Sequence, residues 1–349
     1  MLIAILNDTH CGIRNSSDVF LDYQQKFYED VFFPHCIEND IKQVIHLGDY
    51  YDHRKFVNFK ALNHNRAIFL DPLKNNGMMM DIIPGNHDVY YKNTNELNSL
   101  KELLGYYINN VNIIMKPTIM KYGSLDMALV PWINNQNYAE YTSWIKSCTA
   151  KVIGAHLELN NFEMMRGIPS HSGMSADLFS HFDTVLSGHY HTKSSKGNVH
   201  YLGSQMEFYW NDADDPKYFH VLDTETLEIT PVLNPHRMFY KLEWKNGCDA
   251  DLSDIKNKFV KIVVTEKSDP YLFDKFVDEV NSYGPHELKI AETFDEFMGE
   301  NVDDSAISVE DTPTLLNDYV DAVETELNKP RIKGIIKALY TEASNMEIV

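Results

Sequence analysis

Five short blocks of oxygen and imidazole donors punctuate the first two-thirds of a 349-residue chain. In order they are Asp8-Thr9-His10, Gly48-Asp49-Tyr50-Tyr51-Asp52, Gly85-Asn86-His87-Asp88, Gly154-Ala155-His156 and Ser187-Gly188-His189-Tyr190-His191. Carboxylate, carboxamide and imidazole donors together suit hard divalent cations. The blocks hold enough donors for two ions, and two such ions side by side are suited to breaking phosphate esters. Asp8 and His10 stand two apart at a strand end, where alternation places both on one face. His189 and His191 repeat that spacing, and Gly188 before them permits a close backbone approach. Asp49 has two oxygens and can bridge two cations. Asn86 offers a neutral carbonyl oxygen, and His156 closes an apolar run.

His87 has another use. With Asn86 as the better ligand beside it, its imidazole is free to bond a phosphate or protonate a leaving oxygen. Asp52, three residues beyond Asp49, is the candidate acid that holds His87 as a cation. Asp88 is the second candidate and suits loop shaping. Arg54 can clamp a phosphate oxygen bidentately or form a surface salt bridge. His171, in a Ser-His-Ser-Gly loop, is a candidate to approach the substrate. His46 lies within a strand and reads as packed. Cys11 adjoins His10, but hard-oxygen sites seldom recruit sulfur.

Each block must be carried by an element that ends at it. Leu2–Leu6, Gln43–Leu47, Met78–Ile83, Lys151–Ala155 and Thr184–Leu186 read as strands, with Ile113–Lys121, Leu125–Val130 and Val199–Leu202 between and after them. Helical spacing spans Asp18–Glu38, Phe59–Lys74, Glu96–Leu104 and Tyr138–Lys146. Alternation of this kind gives a layered α/β domain. The late strands Tyr218–Asp223 and Leu227–Leu233 favour a two-sheet sandwich flanked by helices over a single parallel sheet. We assign residues 1–235 to this domain. Residues 236–293 read as a small β-β-α-β module, 294–311 as an acidic linker, and 312–349 as two amphipathic helices. The helices' apolar stripes either fold back on the body or dock on another protein's helices.

The apolar fraction of 44% is that of a globular protein, and no apolar run approaches the length of a membrane span. Met1–Leu6 lacks a basic lead-in and reads as a core strand, not a signal peptide. Four scattered cysteines without a CxxC pair fit free thiols in a reducing cytoplasm. The net charge of −20 is poorly suited to gripping DNA unaided, so either the substrate is small or bound ions and a basic partner supply positive charge.

Taken together in this order, Asp8-x-His10, Gly48-Asp49, Gly85-Asn86-His87-Asp88, Gly154-x-His156 and Gly188-His189-x-His191 resemble the full signature of the calcineurin-like metallophosphoesterases. Within that superfamily the chain resembles the DNA repair and recombination nucleases, the SbcD type and its T-even phage counterpart. The His156-Leu157-Glu158 segment, the small second module and the acidic linker with its helical tail are similar to parts of that branch. The resemblance implies one ion on Asp8, His10, Asp49 and His191, and a second on Asp49, Asn86, His156 and His189. It implies two Mn²⁺, with Mg²⁺ as the alternative, and in-line attack by a metal-held hydroxide while His87 assists departure of the 3′ oxygen. It further implies a DNA exo- and endonuclease subunit that acts in double-strand break processing and recombination. Such a subunit binds the coiled coil of an SbcC-like ATPase through its C-terminal helices. It forms a homodimer through helices near residues 59–75 and 95–104, and works in the cytoplasm, that of the host if phage-encoded. A His replaces Asp52 in parts of the branch. Two other readings stay open: a stand-alone phosphomonoesterase or protein phosphatase of the same superfamily, and a non-catalytic scaffold, which would be expected to have lost ligands.

Overall fold

The structure, a computed structural model, describes residues 1–165, 167–291, 329 and 331–333. The acidic linker expected at 294–311 and all but four residues of the helical tail expected at 312–349 lie outside the described residues.

Two six-stranded sheets face each other. The first runs in the order β14 (Ile229–Asn234), β13 (Lys217–Asp223), β1 (Leu2–Leu6), β2 (Gln43–His46), β3 (Met79–Ile82), β4 (Val111–Ile113). The second runs β11 (Ser194–Lys196), β12 (Val199–Tyr201), β10 (Thr184–Gly188), β7 (Val152–His156), β6 (Leu125–Val130), β5 (Thr118–Tyr122). Strands β1 to β4 are parallel, as are β6, β7, β10 and β12; β13, β14, β5 and β11 join antiparallel.

The run expected from Ile113 to Lys121 is broken. Its first residues end the first sheet, and Thr118–Tyr122 begins the second. Asp81 holds this crossing, accepting from Gln43 Nε2 at 2.8 Å, Asn112 Nδ2 at 2.7 Å and the Tyr122 hydroxyl at 2.8 Å.

Strand alternation divides the core into layers. Ile3, Ile5, Ile45 and Leu47 meet Met127, Leu129, Val152 and Leu186 between the sheets. Ala4, Leu6 and Val44 point the other way, into a layer capped by the helical segments 18–38 and 59–75. Both segments contain a stretch of wider π-type turns, Phe27–Phe32 and Arg66–Leu70. Each such turn accommodates an extra residue and shifts the buried face. This is how consecutive Val31, Phe32 and Phe33 all come to be buried. The helix expected over Glu96–Leu104 is confined to Ser99–Leu103, because Asn98 caps it by accepting from Lys101 N at 3.0 Å.

Beyond Asn234, β15 (Phe239–Lys245), β16 (Phe259–Glu266) and β17 (Glu287–Ala291) form a parallel three-stranded sheet, covered by the helix Pro270–Ser282. Asp269 starts that helix, accepting from Tyr271 N and Leu272 N. Trp244, Ile262, Phe273 and Phe276 form this module's own core. Met238, Phe239 and Phe259 instead belong to the helical layer of the main body, so the module is seated on it. The seat is also polar: Glu207 Oε2 accepts from Met238 N at 2.6 Å and Phe239 N at 2.9 Å.

Leu186 is wholly buried between the sheets. We expect Leu186→Ala to cost about 2–5 kcal/mol of unfolding free energy. A denaturant midpoint equal to wild type would contradict this layering.

Candidate metal centre

All five blocks lie at the carboxyl ends of parallel strands: three just beyond β1, β2 and β3 in one sheet, and two in the last residues of β7 and β10 and the turn that follows in the other. Such ends are where layered α/β proteins gather functional groups. The two sheet edges touch here, since His156 Nδ1 donates to the Leu47 carbonyl at 2.7 Å.

Strand alternation is not what aligns the paired donors. β1 ends at Leu6 and β10 at Gly188, and the chain then turns into the left-handed region. Asp8, His10, Asp49 and His189 have φ of 48°, 44°, 55° and 89°. Such backbone strain in non-glycine residues persists only where neighbours impose it, and it collects at functional sites. The neighbours are identifiable. Asp8 N donates to Gly48 O at 2.9 Å, and His10 N to Asp49 O at 3.1 Å. The Asp8 carboxylate accepts from Asn7 Nδ2 at 2.7 Å and from His189 N at 3.0 Å. Asp49 Oδ1 accepts from His87 N at 2.7 Å. Gly85 is required by proximity: a Cβ there would lie 2.2 Å from Asp49 Oδ1.

The side chains meet in two groups. Donor atoms of Asp8, His10 and His191 lie within 4.8 Å of one another, as do those of Asp49, His156 and His189. Asn86 Oδ1 joins the second group, 2.9 Å from both His156 Nε2 and His189 Nδ1. Asp49 Oδ2 stands between the groups, 3.3 Å from His156 Nε2 and 4.0 Å from His10 Nε2.

These atoms fit divalent cations. The Leu47 carbonyl can only accept, so it fixes a proton on His156 Nδ1, and Nε2 faces the Asp49 and Asn86 oxygens, where it gives up its own proton when a cation binds. His10 Nε2 likewise faces His191 Nε2 at 3.1 Å. Acceptor atoms directed at one another in a dry interior call for positive charge between them, supplied by protons or by a metal ion.

The protonation equilibria agree. Burial works against charge on His10 and His156, yet Asp52 and Asp49 beside His10, and Asp49 beside His156, outweigh it and lift each ring to about 9. Burial, reinforced by the neighbouring rings, holds His189 near 3 and His191 well below its ordinary value. Burial also opposes the Asp49 charge, but His156 and His87 keep that carboxyl ionised, well below the usual range.

The expected Asp52–His87 carboxylate pair takes a different form. Asp52 Oδ1 lies 3.2 Å from His10 Nδ1, out of hydrogen-bond alignment, whereas His87 Nδ1 donates to the Asp52 backbone carbonyl at 2.6 Å. The carboxylate is drawn to His10, the ring lifted to about 9; burial lowers His87, which is held by the main chain. Asp88 shapes the loops. It is fully buried and accepts from the backbone N–H of Tyr50, Tyr51 and Gly85. Arg54 is half-buried and feels the Asp49 charge. His171 is exposed, and among the described contacts none joins it to the two groups. Cys11 is buried against Ala61 O, with its thiol pushed up by burial.

Sequence reasoning passed over the aromatic walls. Trp132 lies 5.8 Å from His156 and 5.4 Å from His189. Phe208 sets its edge against His10 and His191, and Tyr209 stacks on His191. The run Phe208-Tyr209-Trp210 was the available signal.

A family model for calcineurin-like phosphoesterases matches residues 1–193. Exonuclease subunit 1 of Enterobacteria phage T4 is 29% identical over 346 residues, 99% of this chain and 100% of that protein. Among solved structures, an archaeal phosphodiesterase is 16% identical, covering 67% of this chain and all of its own, with a TM-score of 0.36. A protein of Thermus thermophilus is 10% identical, covering 66% of this chain and 98% of its own, with a TM-score of 0.39.

A cation entering these groups must displace protons from His10 and His156. Since both rings hold protons up to about 9, binding tightens as pH rises towards that value. Adding a divalent salt to the weakly buffered protein at about pH 7.5 should release protons. A titration without acidification would contradict this.

Proposed function

Because the chain belongs to the calcineurin-like phosphoesterase family, we propose that it is a Mn²⁺-dependent DNA exo- and endonuclease subunit working with an SbcC-like coiled-coil ATPase. The observation that carries this reading is Asp49 Oδ2 standing between two converging donor groups. Asp8, His10, Asp49 and His191 would hold one ion; Asp49, Asn86, His156 and His189 would hold the other. When bound, two such ions supply charge neutralisation at a phosphate and a lowered pKa for a nearby water. Four imidazoles in the set favour Mn²⁺ over the more oxygen-seeking Mg²⁺.

His87 is assigned to the leaving group. The Asp52 carbonyl fixes the proton on Nδ1 and so leaves Nε2 to exchange a proton with the 3′ oxygen. Burial disfavours the charged ring, so its second proton is best held once the phosphate's negative charge is in place. Asp52 orients both His87, through its carbonyl, and His10, through its carboxylate.

A nucleic acid substrate is favoured by the name of the T4 relative, an exonuclease subunit, and by the rim of the site. In a chain of net charge −20, burial, reinforced by the nearby Arg54 and Lys55 charges, depresses Lys92 to about 8. Beside them Phe56 is exposed and stacks on His53. A cationic rim with exposed aromatic surface suits a nucleic acid backbone and its bases. The word subunit in that relative's name favours a partner, and the apolar stripes of 312–349 favour the tail as its dock. Homodimerisation is favoured by Phe59, Tyr106 and Ile108, which are exposed on or beside the two helical segments assigned to it.

Asp49→Asn and His87→Asn should fold and lose Mn²⁺-dependent cleavage of linear duplex DNA, His87→Asn by roughly 10²–10⁴-fold. Wild-type cleavage by the His87 variant would sink its assignment. Lys92→Glu should weaken duplex binding and lower the salt dependence by about one unit of slope. It should spare hydrolysis of bis(p-nitrophenyl) phosphate, and an equal loss on both substrates would argue against the rim.

A further inference from the structure

One of the buried charged groups has no place in the chemistry above. Lys217, the first residue of β13, is 3% exposed, and its ammonium makes three contacts. It donates to Asp212 Oδ1 at 2.7 Å, to Asp215 Oδ2 at 2.9 Å and to the backbone carbonyl of His191 at 3.0 Å. A buried cation between two carboxylates is weak evidence for stability, because apolar residues of similar volume often serve as well. Its third contact has a direction. The His191 carbonyl also accepts from Ser204 N at 3.0 Å, so both its lone pairs are occupied and the peptide plane is fixed.

Asp212 extends the hold to the other side of the same imidazole. Its Oδ2 accepts from Phe208 N at 2.8 Å and Tyr209 N at 3.0 Å. Those bonds close a tight turn and set two rings. Tyr209 lies parallel to His191 at 4° with centroids 6.0 Å apart, and Phe208 meets it edge-on at 5.6 Å. Arg14 covers the outer face of this turn, donating from Nε to Phe208 O at 3.1 Å, with its guanidinium 4.9 Å from the Tyr209 ring. One ion pair thus grips the main chain of His191 and the two plates against its ring. The Asn86, His156 and His189 group has no described contact with this triad.

We propose that Lys217 and Asp212 are positioning residues that preset the His191 imidazole for one of the two ions. This rests on the two-ion reading above. The consequence is asymmetric: loosening the triad weakens one ion and leaves the other alone. Groups that orient a ligand from behind typically contribute tenfold to 100-fold in metal affinity.

The test is Mn²⁺ binding by the full chain, followed through the electron paramagnetic resonance signal of free Mn²⁺, for wild type, Lys217→Met, Tyr209→Leu and His191→Ala. Wild type should take up two ions. Lys217→Met should bind one of them about 10- to 100-fold more weakly, the same one that His191→Ala loses, and the other with unchanged affinity. A purely structural role would lower both affinities or neither, and either result overturns the proposal. Lys217→Met leaves the buried Asp212 and the half-buried Asp215 without their cation and can fail to fold. Tyr209→Leu keeps the triad, removes one plate, and should weaken the same ion about tenfold. Folded Tyr209→Leu with both ions at wild-type strength would overturn the proposal. Fewer than two ions in wild type would overturn the two-ion reading and this assignment together. Two ions in wild type, both kept in Lys217→Met, would overturn the assignment alone.

Discussion

A carboxylate withdrawn from water must be surrounded by donors or cations, and Asp49 is 2% exposed. One oxygen receives a backbone N–H from His87; the other faces two imidazoles, His10 on the loop after β1 and His156 at the end of β7 in the other sheet. Its negative charge holds protons on the rings around it and turns their lone pairs inward once those protons leave. Asp52 supports His10, Leu47 supports His156, and Asp88 holds the loops that carry Asp49 and Asn86. Most of the polar groups buried near the strand ends are there because Asp49 is.

That burden also explains the choice of architecture. One sheet cannot surround an ion, because its loops leave from a single edge. Two parallel-stranded edges brought face to face can. The apolar layer of Ile3, Ile45, Met127 and Leu186 sets the distance between them. Left-handed turns at Asp8, His10, Asp49 and His189 then double the chain back over the gap. The cost is local backbone strain, offset by hydrogen bonds that only the assembled site can make.

Much of this was legible in the residues. Strands β1, β2, β3, β7 and β10 stand out as apolar runs ending at a donor block, and the small module's β-β-α-β order is legible from its alternating strands and the helical spacing over Pro270–Ser282. What was not legible depends on contacts between distant parts of the chain. Asp52 is three residues from Asp49, but nothing in that spacing says that its carboxylate turns to His10 and its carbonyl to His87. The break between Val111–Ile113 and Thr118–Tyr122 was hidden because both halves are extended; it shows only in their pairing, the first with β3 and the second with β6. Nothing in the sequence singles out Lys217: Asp212 and Asp215 stand five and two residues before it, but its reach to the His191 carbonyl, 26 residues away, depends on the fold.

The strand order has a consequence in time. β1 pairs with β13, so Leu2 finds Asp223 as its partner, and Asp8 waits for the N–H of His189. A chain emerging from the ribosome carries its first donor block for most of its synthesis before the sheet that anchors it can close. Contacts of such long sequence separation slow folding, because loop closure precedes any reward. Until then β1 is an exposed apolar edge, the kind of segment that invites association with other chains. One group cannot close early either, since Asp8 and His10 must wait for His191 from the other end of the domain. The centre is complete only when donors from both sheets are in place, so full cation capture requires both sheets to be assembled.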